Sequence, residues 1–91
     1  MQTLVDALCH FETVDSRAVK AYQVAISDYV MGQNATDGFL HVTVMVLSGR
    51  PLELRQRMAR TLQAILKTEA DNLGISASLE LREMDKETYV K

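Results

Sequence analysis

The chain has 91 residues, 47% of them hydrophobic and 24% charged, with a formal net charge of -2 at pH 7. This is enough for one small globular domain with a modest core, and the slight acidic balance argues against a general nucleic-acid binder, whose phosphate contacts show as a basic excess. The single cysteine, Cys9, excludes an internal disulfide and, among apolar helical neighbours, reads as a buried structural thiol. No run is long and apolar enough to span a membrane, and the first residues lack the basic-then-apolar pattern of a secretion signal, so the expected location is the cytoplasm.

In chain order, residues 1 to 11 predict a short helix with Leu4, Val5, Leu8 and Phe11 on one side and Gln2, Asp6 and Glu12 away from it. Glu12 to Arg17 is polar and reads as a connection. Ala18 to Ile26 alternates loosely and predicts a strand. Asp28 to Gly38, with Gly32, Asn34, Asp37 and Gly38, reads as a loop. Phe39 to Leu47 then predicts a strand with Leu40, Val42, Val44 and Val46 on one aliphatic face. Its other face, Phe39, His41, Thr43, Met45 and Leu47, is mixed but still apolar, which predicts burial on both sides.

Ser48-Gly49-Arg50-Pro51 turns the chain into a helix, with Pro51 suited to the first helical position and Glu53 to the first turn. Leu54, Met58, Leu62, Ile65, Leu66, Glu69 and Leu73 follow three- and four-residue spacings and form the expected inward stripe, broken only by Glu69. Gly74 marks the helix end. Ile75 to about Glu83 alternates again, with Ile75, Ala77, Leu79 and Leu81 on one face and Ser76, Ser78, Glu80 and Arg82 on the other. Strand, long helix and strand make a βαβ unit, with parallel strands and a right-handed crossover.

Val19-Lys20-Ala21-Tyr22, Asp28-Tyr29, Gly32, Phe39-Leu40-His41-Val42, Leu47-Ser48-Gly49-Arg50 and Leu79-Glu80-Leu81-Arg82-Glu83-Met84-Asp85 resemble, in order and spacing, the later three-quarters of 5-carboxymethyl-2-hydroxymuconate isomerases of the tautomerase superfamily. The resemblance implies an α+β, two-layer domain built of tandem βαβ units, with two helices on one face of a mixed sheet. Residues 1–30 would be an incomplete first unit lacking its opening strand, and residues 39–84 the complete second. It also implies a homotrimer with inward-facing sheets. The implied reaction is a cofactor-independent isomerisation of a dicarboxylate or tricarboxylate dienol in aromatic-compound catabolism, without metal, nucleic acid or membrane.

The family's general base is the secondary amine of an amino-terminal proline, a group that titrates near neutrality. Here residue 2 is Gln2 and the only proline, Pro51, has an amide nitrogen. The family's opening strand would lie before Met1. No residue of the 91 is therefore assigned as catalytic, and the chain is expected to be inactive by itself.

For substrate binding the resemblance singles out Arg50, which matches the family's Gly-Arg, and Lys20, at a position that is often arginine. Lysine there keeps the charge but loses the bidentate fork. Arg50 could equally cap the helix entrance, whereas Lys20 reads more readily as a solvated strand residue and His41 as a core or interface residue. His41 and His10 lack a ligand cluster, so no metal site is expected; nor is there a glycine-rich phosphate loop or a nucleophile elbow. Two readings from other classes share the element order: a non-catalytic oligomeric binding module and a ferredoxin-like small-molecule sensor.

Overall fold

A computed structural model describes residues 1–33 and 38–90. It contains helix α1 (Gln2–Cys9), a 3-10 turn at Ser16–Ala18, strand β1 (Phe39–Leu47), helix α2 (Leu52–Leu73) and strand β2 (Ser76–Met84). β1 and β2 pair in parallel, from Phe39 opposite Ser76 to Leu47 opposite Met84. The domain is α+β, with one complete βαβ unit. No helix among the described residues is long and apolar enough to cross a membrane.

α2 packs mainly on β2, and of the aliphatic face of β1 only Val46 is buried. Val46 is buried beside Met58, Leu62, Leu66 and Ala70, which recur every four residues along one face of α2. On β2 the same face carries Ala77, Leu79, Leu81 and Glu83, and Gln63 of α2 donates to the Ala77 carbonyl at 3.3 Å. α1 lies against α2 through Ala7, His10 and Phe11 near Thr61. Leu4, Val5, Leu8, Cys9 and Phe11 are half-buried there, so Cys9 is only partly shielded.

Pro51 is the N-cap, with φ -61° and ψ 151°, so the helix begins one residue later than its proline suggested. At the other end Gly74 adopts a left-handed conformation at φ 70°, and the N–H of Ile75 returns to the Ala70 carbonyl at 3.1 Å. That reversal folds over Ala70 and leaves Leu73, expected inside the stripe, 69% exposed. Gly74→Ala should lower stability by about 1 kcal/mol, because a Cβ is disfavoured in this backbone region even with open space around it. A urea midpoint that does not move would contradict this.

Two expectations need correcting. Ala18 to Ile26 is not a strand: apart from the 3-10 turn at its start it is irregular, and Tyr22, Val24 and Ile26 are 87%, 71% and 60% exposed. Alternation supplies the side chains of a strand but not a ladder, and β1 hydrogen-bonds only to β2 among the described residues. The sheet is therefore parallel rather than mixed. The second face of β1 is also open rather than buried, with Phe39 39% and Met45 54% exposed, because both helices lie elsewhere. Of the loop read at 28–38, Asn34 and Asp37 lie outside the described residues.

Candidate functional site

A parallel βαβ unit brings the carboxyl ends of its two strands together, and ligands of such units commonly sit beyond those ends. Here this places Ser48-Gly49-Arg50-Pro51, after β1, beside Glu83 to Lys86, at the end of β2. The Ser48 N–H donates to the Met84 carbonyl at 2.8 Å, and the Lys86 N–H donates to Ser48 Oγ at 3.4 Å. Gly49 has φ 120°, a conformation open to glycine, and a Cβ there would meet Lys86 Nζ at 3.1 Å. The loop needs that glycine both for its backbone and for its closeness to the lysine.

Glu83 holds the loop from below. One carboxylate oxygen accepts from the Gly49 N–H at 3.3 Å and the other pairs with Arg55 Nη1 at 3.3 Å. Arg55 Nε also donates to the Arg50 carbonyl at 3.2 Å, so the first turn of α2, the loop and β2 share one polar network.

Arg50 is the centre of that network and is half-buried. Its Nε donates to Thr13 Oγ1 at 3.0 Å, Nη2 to the Thr13 carbonyl at 2.7 Å and Nη1 to the Leu47 carbonyl at 3.2 Å. All three acceptors are neutral. A guanidinium has five N–H donors, so some remain for another acceptor, and no acidic side chain among the described residues pairs with it. Arg50 thus ties the connection after α1 to the end of β1 while keeping its charge uncompensated.

Next to this group lies a shallow cleft of about 440 Å³ lined by His10, Phe11, Glu12, Thr13, Leu54 and Arg57. His10 Nδ1 lies 2.7 Å from the Asp6 carbonyl; a carbonyl can only accept, so Nδ1 carries hydrogen and Nε2 is left for another contact. Apolar Phe11 and Leu54 with cationic Arg57 suit a small anion that has a hydrocarbon body.

Lys20 is exposed and forms no hydrogen bond or ion pair with another described residue, so the structure does not join it to the Arg50 group. His41 lies on the open sheet face, its Nδ1 2.6 Å from Ser78 Oγ on the neighbouring strand. No group of three or more His, Cys, Asp or Glu side chains able to hold a metal occurs among the described residues. Thr13, Arg55, Glu83 and Lys86 were not singled out from the sequence, although the parallel pairing of residues 39–47 with 76–84 is the signal that brings the last two to the Ser48-Gly49 turn that precedes Arg50.

No protein-family model matches the chain, and no curated protein matches it.

Proposed function

We propose that this chain is a 5-carboxymethyl-2-hydroxymuconate isomerase-like protein of the tautomerase superfamily, cytoplasmic and oligomeric, whose 91 residues bind a dicarboxylate or tricarboxylate dienol without turning it over. The observation that carries this reading is Arg50: a guanidinium fixed by three neutral acceptors at the carboxyl end of β1, its charge unmatched, beside a cleft that is part apolar and part cationic. Fixing the side chain in advance reduces the entropy lost on binding, and charge-assisted hydrogen bonds to carboxylates are the stronger kind.

Catalysis is another matter. The family's base is an amino-terminal proline amine, and the one proline of these 91 residues, Pro51, has an amide nitrogen.

The direct β1–β2 ladder favours this reading over the ferredoxin-like one, whose split βαβ units place another strand between the two. An oligomer built through the open face, a trimer in the family, would cover Phe39 and Met45.

The test is titration of the 91-residue chain with 5-carboxymethyl-2-hydroxymuconate by calorimetry, alongside ultraviolet absorbance to follow loss of the conjugated dienol. Binding with negligible turnover is expected, and Arg50→Ala should weaken binding roughly tenfold or more, the equivalent of one charge-assisted hydrogen bond of about 1.5–3 kcal/mol. Circular dichroism must show Arg50→Ala folded, since Arg50 also anchors Thr13. Substantial turnover by the short chain would mean another residue supplies the base. Equal binding by Arg50→Ala would remove the site from this loop.

A further inference from the structure

The cations of α2 divide by what they meet. Arg55 is engaged by Glu83 and by the Arg50 carbonyl, and Lys67 pairs with Asp71 one turn further on. Arg57 and Arg60 form no hydrogen bond or ion pair with another described residue. For Arg57 this is unexpected, since Glu53 stands four residues before it, the spacing and order that favour a helical ion pair. Arg57 lines the cleft beside the Arg50 group instead, with Leu54 one turn before it on the same face of the helix. Arg60 does not line that cleft.

Arg50 reaches the same cleft through Thr13. Its Nε and Nη2 both go to Thr13, and Nη1 goes to the Leu47 carbonyl. Of the five N–H donors of a guanidinium this leaves one on each terminal nitrogen, the pair that a carboxylate accepts in a two-point contact. Thr13 is also part of the cleft wall, and Phe11 and Leu54 give that wall an apolar stretch. Glu12 lines the cleft as well, but it forms no ion pair with Arg57, whose charge therefore stays open. As a like charge, Glu12 disfavours an anion lodged on its own side.

We propose that Arg57 is the second anion contact of this site. A conjugated diacid lays its hydrocarbon chain on Phe11 and Leu54, with one carboxylate on Arg50 and another on Arg57. Arg57 is then the residue that selects a diacid over the monoacid of the same chain. The assignment rests on the reading of Arg50 as a carboxylate contact. The two arginines divide the work: Arg50 is fixed in advance by Thr13 and Leu47 and loses little freedom on binding, whereas Arg57 is exposed and is ordered only by the ligand. Its contact is accordingly the more sensitive to salt.

Two stable dienes of equal chain length isolate the contact: trans,trans-muconate carries a carboxylate at both ends, and sorbate has a methyl group in place of one. In calorimetric titrations at low salt the wild-type chain should bind muconate roughly tenfold more tightly than sorbate, the equivalent of one charge-assisted hydrogen bond. Arg57→Gln should abolish that preference and leave the affinity for sorbate unchanged, whereas Arg50→Ala should weaken both dienes. Arg60→Gln removes an exposed charge of α2 outside the cleft and should leave the preference intact. Arg57 has no hydrogen bond to lose, so Arg57→Gln decides the matter even where Arg50→Ala does not fold. An unchanged preference in Arg57→Gln overturns the assignment and leaves the Arg50 reading standing. An equal loss in Arg60→Gln overturns it as well, because general attraction between charges would then account for the preference. So does a wild-type chain that binds the two dienes alike, or neither. Folded Arg50→Ala that binds both as tightly as wild type strikes the Arg50 reading itself, and the two-arginine contact with it.

Discussion

Leu62→Ala should destabilise the domain by about 2–5 kcal/mol, the range for deleting a fully buried leucine side chain into a site that relaxes only partly. Leu62 is 1% exposed at the middle of α2, with Met58 and Leu66 one turn to either side, at 0% and 5%. Small domains have only about 5–15 kcal/mol of stability in total, and one of 91 residues has few other buried side chains to compensate. The urea midpoint should fall steeply, with the slope of the transition unchanged. Leu52→Ala is the comparison: at 57% exposure on the first turn of the same helix it should shift stability by no more than about 0.5 kcal/mol. Similar midpoints for the two variants would mean that α2 is not seated as the four-residue row 58, 62, 66, 70 implies.

That row was partly visible in the sequence. The βαβ unit was legible because its signals are local and agree: strict alternation over 39–47, three- and four-residue spacing along α2, and a glycine where the helix stops. Even there the detail was off by one turn, since Ala70 looks too small to count as core and Leu73 too large to be left outside, and only the backbone reversal at Gly74 decides between them. Residues 18–26 failed for a different reason. A helix satisfies its own backbone, but a strand depends on a partner elsewhere in the chain, and alternation in Ala18 to Ile26 says nothing about whether one exists. The site divided in the same way. Arg50 could be found because it lies in a loop between two strong elements, whereas its fixation by Thr13 spans a sequence separation of 37 residues that no local pattern encodes.

The sharpest test of how β1 divides its two faces compares neighbours in sequence. Val44→Asp should unfold the chain. Val44 points toward α2, pairs across the ladder with Leu81 and precedes the buried Val46 by one alternation, so the new carboxylate would enter the aliphatic layer with no cation opposite it. Arg55, which reaches Glu83 on that side of β2, is already paired with it. Burying an uncompensated charge is among the few single changes that exceed about 3 kcal/mol, a large share of what a small domain has. Met45→Asp adds the same charge one residue later, on the face where Met45 is 54% exposed and where Arg82 is its cross-strand partner. Water solvates the carboxylate there and the fold should persist, with stability changed by roughly 1 kcal/mol or less. Any assembly through that face should weaken, because an apolar contact becomes an anionic one in both copies. Circular dichroism reports the first effect and sedimentation the second. Equal loss of helical signal in the two variants would show that Met45 is covered as deeply as Val44, and the division of β1 into a core face and an open face would then be wrong.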